Sequence, residues 1–270
     1  MSKYFQASWK LKEILIVLLV AISVLILVDL AFIFSGLSDY FKSVIESDSE
    51  QVWLKEFIVL GLFLLQSIII LVPLIFLVFK NYKKWVWADF GFGKFELLHH
   101  SGLAILGYFF YLGVNFAIAA IIVFGGLKIP GYQISEPILP LFGTTDLALM
   151  IAAILIVVIA PILEEVFFRG FILQGLVNKW GKYIGAIVTA LIFAILHLQF
   201  ESFIPIFILS LILSLLFIRS KSIWPCILFH VINNIIAFVV ELMMVKGVIP
   251  LDFGTFSPPR GKVYRLELTG

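Results

Sequence analysis

Seven stretches of this chain are apolar enough to lie in a lipid bilayer, and that requirement leaves few folds open. They run over 14–36, 57–79, 102–124, 147–177, 183–200, 203–218 and 223–245, the sixth being the shortest. A spanning helix needs about 20 mainly apolar residues, and inside hydrocarbon a backbone must satisfy its own hydrogen bonds. The expected fold is therefore all-α, a polytopic membrane bundle of about seven transmembrane helices. One integral membrane domain would cover 1–252, with a polar tail at 253–270 that carries Pro258 and Pro259. Composition agrees, being 62% hydrophobic and 13% charged over 270 residues, where soluble domains are about half apolar and a quarter charged. A net charge of +2 without a basic run argues against nucleic acid as a partner. A single cysteine, Cys226, excludes an internal disulfide. The apolar run 14–36 exceeds the roughly 7–15 residues of a signal-peptide core, so it is expected to be a retained helix.

Charge sets the expected orientation. The 38–56 loop is acidic, whereas Lys80, Lys83, Lys84 and Lys94 crowd the 80–101 loop. Lys179 and Lys182 flank the turn at 178–182, and Arg219 and Lys221 the turn at 219–221. Lys and Arg favour the cytoplasmic side, which puts those three connections and the N-terminus in the cytoplasm, with the cell membrane as the expected location. Between Tyr82 and Phe95, Trp85, Trp87, Phe90 and Phe92 interleave with the lysines, the pattern of an amphipathic stretch lying on headgroups. Thr144, Thr145 or Asp146 can cap the fourth helix, and Ser222 the seventh, with Pro225 in its first turn.

The fourth helix also holds what an apolar span should avoid: Glu164 beside Glu165, with Arg169 four residues on. Ionisable groups at membrane depth are costly and are functional candidates by default. Glu165 and Arg169 share a helix face and can pair, while Glu164, about 100° away, is free to point elsewhere. Two carboxylates in different surroundings can divide the roles of base and structural anion. Pro161 breaks the same helix, leaving the Val157 carbonyl without its usual donor. His197 on the fifth helix, and His230 and Asn234 on the seventh, are the other polar groups of this kind. Glu164 lies about 22 Å before the turn near Lys179, and His197 about 21 Å beyond Tyr183, so the hairpin brings them level. His230, about 13 Å beyond Lys221, can join them if the hairpin projects further from the membrane. Phe193, one turn before His197, can shield it from lipid. Asn234, one turn after His230, can donate to an oxyanion or orient a water.

Other polar residues carry less. Asp29, Gln66 and Asn115 suit helix–helix hydrogen bonds, and His99-His100 suits a solvated loop. No His-Glu-x-x-His, serine elbow or Gly-x-Gly-Asp occurs, so among hydrolytic designs glutamate plus histidine remains.

EEVFFRG, FAILH and FHVINN, in that order, resemble the three motifs of the CAAX protease and bacteriocin-processing family, also called Abi. The likeness covers about 145–240. It implies an intramembrane endopeptidase in which Glu164 activates water, Glu165 and Arg169 support it, and His197, His230 and Asn234 bind water or stabilise the oxyanion. If a metal is used, His197, His230 and Glu164 would form a His₂Glu zinc set with an open position. The implied partners are a membrane-associated peptide or protein and the lipid bilayer. The family's sixth helix usually carries glycines, and here Ser210 and Ser214 are the small residues. The rival reading is a non-catalytic membrane scaffold or immunity protein of the same fold. A transporter fits less well, because no pair of interrupted helices repeats in two halves.

Orientation is directly testable. Single cysteines at Trp180 or Ser220, in a Cys226→Ala background, are expected to react with a membrane-impermeant thiol reagent only from the cytoplasmic side. Labelling of both from outside would invert the topology.

Overall fold

The computed structural model of the chain describes residues 9–36, 58, 61–62, 65, 68–69, 71–76, 87–127, 129–132, 139–142 and 145–248. Seven α-helices with described bounds organise it: α1 Leu11–Ser35, α2 Leu97–Gly125, the short α3 Leu139–Phe142, α4 Asp146–Trp180, α5 Lys182–Leu196, α6 Phe203–Ser220 and α7 Trp224–Val245. No strand occurs among the described residues. Among the described residues, five helical segments are long and apolar enough to cross a membrane, namely α1, α2, α4, α7, and α6 with the preceding 3-10 turn from Phe200. α5 is apolar but shorter, at 15 residues. The expected 57–79 helix is described only in part and is helical at 58, 61–62, 65, 68–69 and 71–76. The tail 253–270 and Gln66 lie outside the described residues, as does the side chain of Asp29.

α4 is a single 35-residue segment, about 50 Å long and well beyond the roughly 30 Å of hydrocarbon. It therefore tilts or projects. α5 returns along its last turns, α6 packs on α5, and α7 closes against α4, α6 and α2. Phe171, Phe193, Leu213, Phe217 and Phe229 fill the middle, each at most 1% exposed. Outward faces stay apolar, with Phe109, Phe110, Phe116 and Phe124 of α2 largely exposed, as lipid contact requires. With apolar residues on both sides, packing rather than dehydration discriminates inside from outside. Backbone packs closely on backbone in the α4–α5 hairpin. A Cβ at Gly185 would stand 2.8 Å from the Val177 nitrogen and 2.9 Å from its Cα, where only backbone could yield.

Some local expectations hold and others change. Thr145 caps α4 by accepting from the Ala148 amide at 3.1 Å. Pro225 falls in the first turn of α7, and the Trp224 amide reaches the Ser222 hydroxyl at 3.4 Å. Asn115 does not bridge two helices: its amide bonds the Tyr111 carbonyl of its own helix, while the Tyr132 hydroxyl donates to the Asn115 carbonyl at 2.7 Å. His99 and His100 sit in the first turn of α2 rather than in a loop. His100 is buried, with Nδ1 accepting from the Glu96 amide. The described part of the 82–95 stretch is strapped to the bundle by hydrogen bonds, with Trp87 left largely exposed. Phe90 is buried, the Ile223 amide and the Trp224 indole donate to the carbonyls of Gly91 and Gly93, and Gln174 donates to that of Asp89. These bonds hold it over the α6–α7 turn.

Gly185→Ala is expected to lower unfolding stability in detergent by about 1–3 kcal/mol through overpacking. Gly113→Ala, on an open helix face with nothing within 4 Å, should be neutral or stabilising. Equal melting temperatures for the two variants would refute the close hairpin.

Candidate active site

Two π-helical stretches, Ile154–Ile159 and Val166–Leu173, bracket the paired glutamates on α4. Pro161 accounts for the first. It has no N–H, and the helix before it widens so that the Ala160 amide bonds Leu155, five residues back. In that register the carbonyl opposite Pro161 is that of Ile156, and the Asn234 amide donates to it at 2.9 Å. Asn234 thus ties α7 to the break in α4. π-bulges are rare and often accompany functional sites.

Glu165 is fully buried, and its Oε1 accepts from two donors: Arg169 Nη1 at 2.8 Å and His230 Nδ1 at 2.8 Å. Arg169, also fully buried, donates from Nη2 to the hydroxyl and carbonyl of Ser210 on α6 and lies 4.9 Å over the Phe193 ring. One guanidinium therefore joins α4, α5 and α6, and the carboxylate it holds fixes an imidazole on α7. With Nδ1 of His230 donating to a carboxylate, Nε2 is the face left for chemistry.

Glu164 points elsewhere, as the 100° offset requires. Its side chain is 31% exposed against 0% for Glu165. Glu164 Oε2 stands 3.7 Å from His230 Nε2 and 3.9 Å from His197 Nε2. Direct contact is slightly too long for hydrogen bonds, but a water between the three heads would be within reach of each. α5 ends one residue before His197 instead of running on to 200, because the chain turns there through Leu198 at φ 54°. At that end His197 Nδ1 bonds the Phe193 carbonyl at 2.7 Å, supplying a donor the terminated helix lacks. Its Nε2 is thereby aimed at Glu164. Phe193 stacks on His197 at 4.2 Å between ring centroids and also faces His230, so it positions both rings as well as covering them.

All six sequence-predicted residues gather here, in two tiers: Glu164, His197 and His230 around one space, with Glu165, Arg169 and Asn234 behind them. Ser210 is the contributor not anticipated as part of the site. Its signal was a hydroxyl in an otherwise apolar helix, four residues before Ser214. For zinc, donors bound at about 2.0–2.2 Å sit roughly 3.3–3.5 Å apart. The observed 3.7 and 3.9 Å are wider, and no group of three His, Cys, Asp or Glu among the described residues is arranged to hold a metal ion. The residue types suit zinc; their placement does not.

Fold and site together define a polytopic α-helical membrane protein with a carboxylate–imidazole centre carried on α4, α5 and α7. Residues 146–236, about a third of the chain, match the family described as type II CAAX prenyl endopeptidase Rce1-like. The resemblance expected from the three motifs is thus matched by a family model on the segment that bears the site. An Escherichia coli protein named "Uncharacterized 24.3 kDa protein" is 27% identical over 164 residues, 57% of this chain and 69% of the relative. "Putative membrane peptidase YdiL" of Bacillus subtilis (strain 168) is 25% identical over 113 residues, 42% of this chain and 45% of its own length. The chain therefore spans less than half of that second relative. No solved structure matches.

Glu165→Gln is expected to orphan Arg169, at a stability cost of about 3–5 kcal/mol for a broken buried pair, seen as loss of protein in the membrane fraction. Adding Arg169→Gln should recover much of the level. Normal abundance of the single variant would show that the pair does not hold the bundle.

Proposed function

We propose that the protein is an intramembrane endopeptidase that hydrolyses a peptide bond of a membrane-associated substrate, with Glu164 as the general base. The observation that carries this reading is a partly exposed carboxylate, Glu164, facing Nε2 of two histidines whose Nδ1 atoms are already engaged. Glu164 takes a proton from a water lying between it and the imidazoles. The water oxygen bonds the scissile carbonyl carbon, and the charge passes to the carbonyl oxygen. A histidine ring carrying both protons donates from Nε2 to that oxyanion, and His230 is favoured because Glu165 holds its ring in place through Nδ1. As the tetrahedral intermediate collapses, the carbon–nitrogen bond breaks and the proton on Glu164 goes to the leaving amine. Asn234 serves by holding α7 to α4, with one amide hydrogen engaged on Ile156 and the other left for the water.

The family description supports a lipid-modified C-terminal peptide as the substrate class. A cell-membrane location with a cytoplasmic N-terminus, supported by the lysine-rich connections, would place the site within reach of such peptides.

Glu164→Gln keeps shape and hydrogen bonding but removes the proton acceptor. Cleavage is expected to fall by about 10²–10⁴-fold with melting unchanged. N-terminal mapping of membrane peptides from cells carrying the wild type or this variant would find the substrate. Full proteolysis by purified, folded Glu164→Gln protein would remove Glu164 from the mechanism.

A further inference from the structure

A crevice of about 630 Å³ opens between the start of α1 and the last turns of α4, with Lys10, Lys12, Leu15, Ile16, Leu19 and Lys179 in its lining. Ligand sites commonly run about 300–1,000 Å³. The fold builds this one. Ile14 and Val17 turn the other face of α1 into the bundle, and the Trp9 indole donates to the Phe171 carbonyl at 2.8 Å. Gly175 lets the helices meet, since a Cβ there would stand 2.3 Å from Ile14 Cδ1.

Lys12, Leu15, Ile16 and Leu19 follow the i, i+3, i+4, i+7 spacing of one helix face, so an exposed cation heads an exposed apolar stripe. Lys10 and, from α4, Lys179 stand exposed at the same mouth. None of the described lining residues is acidic, and the nearby Glu13 carboxylate is turned to the Lys10 backbone amide. From Lys12 to Leu19 the stripe descends about 10 Å. Cations at an interface above an apolar channel match one chemistry, a phosphate ester carrying an acyl chain.

We propose that this crevice is a binding site for an acidic phospholipid, with its phosphate on Lys10, Lys12 and Lys179 and the upper part of a chain along Leu15, Ile16 and Leu19. Gly175 is eleven residues from Glu164, about 16 Å along α4, so the lipid site is separate from the carboxylate–imidazole centre and does not depend on its activity.

The test is native mass spectrometry of the purified full chain, titrated with phosphatidylglycerol, phosphatidylcholine or inorganic phosphate. The wild type should retain phosphatidylglycerol about tenfold better than phosphatidylcholine, within the reach of three interfacial lysines, and millimolar phosphate should not displace it. Lys10→Ala/Lys12→Ala/Lys179→Ala should abolish the preference, and Lys179→Glu alone should weaken it. The equally charged control Lys94→Ala/Arg219→Ala/Lys246→Ala should keep it. Equal retention of both lipids, an unchanged preference in both crevice variants, the same loss in the control, or displacement by phosphate would each overturn the proposal.

Discussion

The buried guanidinium of Arg169 is the constraint on which the rest of the arrangement depends. It has no exposure to solvent, and its neighbours are Glu165, Ser210 and the Phe193 ring. An unpaired charge at membrane depth is far more costly than an exposed one. The helices carrying those partners must therefore come together around it, and α4, α5 and α6 are held in register by one side chain. Because Glu165 Oε1 also bonds His230, the same requirement reaches α7 and fixes an imidazole that Arg169 does not touch.

Adjacent glutamates then differ sharply in environment. Glu165 is sealed inside the network, while Glu164 faces a shared space with two imidazoles. A helix turns by about 100° per residue, so adjacency in sequence is what sends them to different faces. The π-helical stretches on either side adjust where those faces point. The cost of the break at Pro161 is offset by Asn234, whose amide supplies a bond that the proline cannot make.

The match to the Rce1-like family covers 146–236, which takes in α4, α5, α6 and the site-bearing half of α7. α1 and α2 lie outside it. They still complete the bundle, α2 through Tyr108 against Phe229, and α1 through Trp9 and Ile14 against the end of α4. The segment that carries the carboxylate–imidazole centre is thus the segment that the family model matches. The part that meets the bilayer most openly is free to build other features, such as the lysine-lined crevice.

Much of this was legible in the chain alone. Apolar runs of helical length dictated an all-α membrane bundle, because a backbone in lipid must bond to itself. The i,i+4 spacing of Glu165 and Arg169 dictated their pairing, and counting residues from each turn brought Glu164 level with His197. Three matters were settled only in three dimensions. His197 stands at a helix end because the chain turns through Leu198, which frees its ring to cap the Phe193 carbonyl, and no local pattern announces that stop. Asn234 is committed to Ile156 because a proline 73 residues earlier shifts the register of another helix. Ser210 joins the network because α6 happens to bring a hydroxyl opposite the guanidinium, a placement set by packing between helices rather than by the sequence near either residue. Short-range spacing governs which groups share a face; only tertiary contact decides what each face meets.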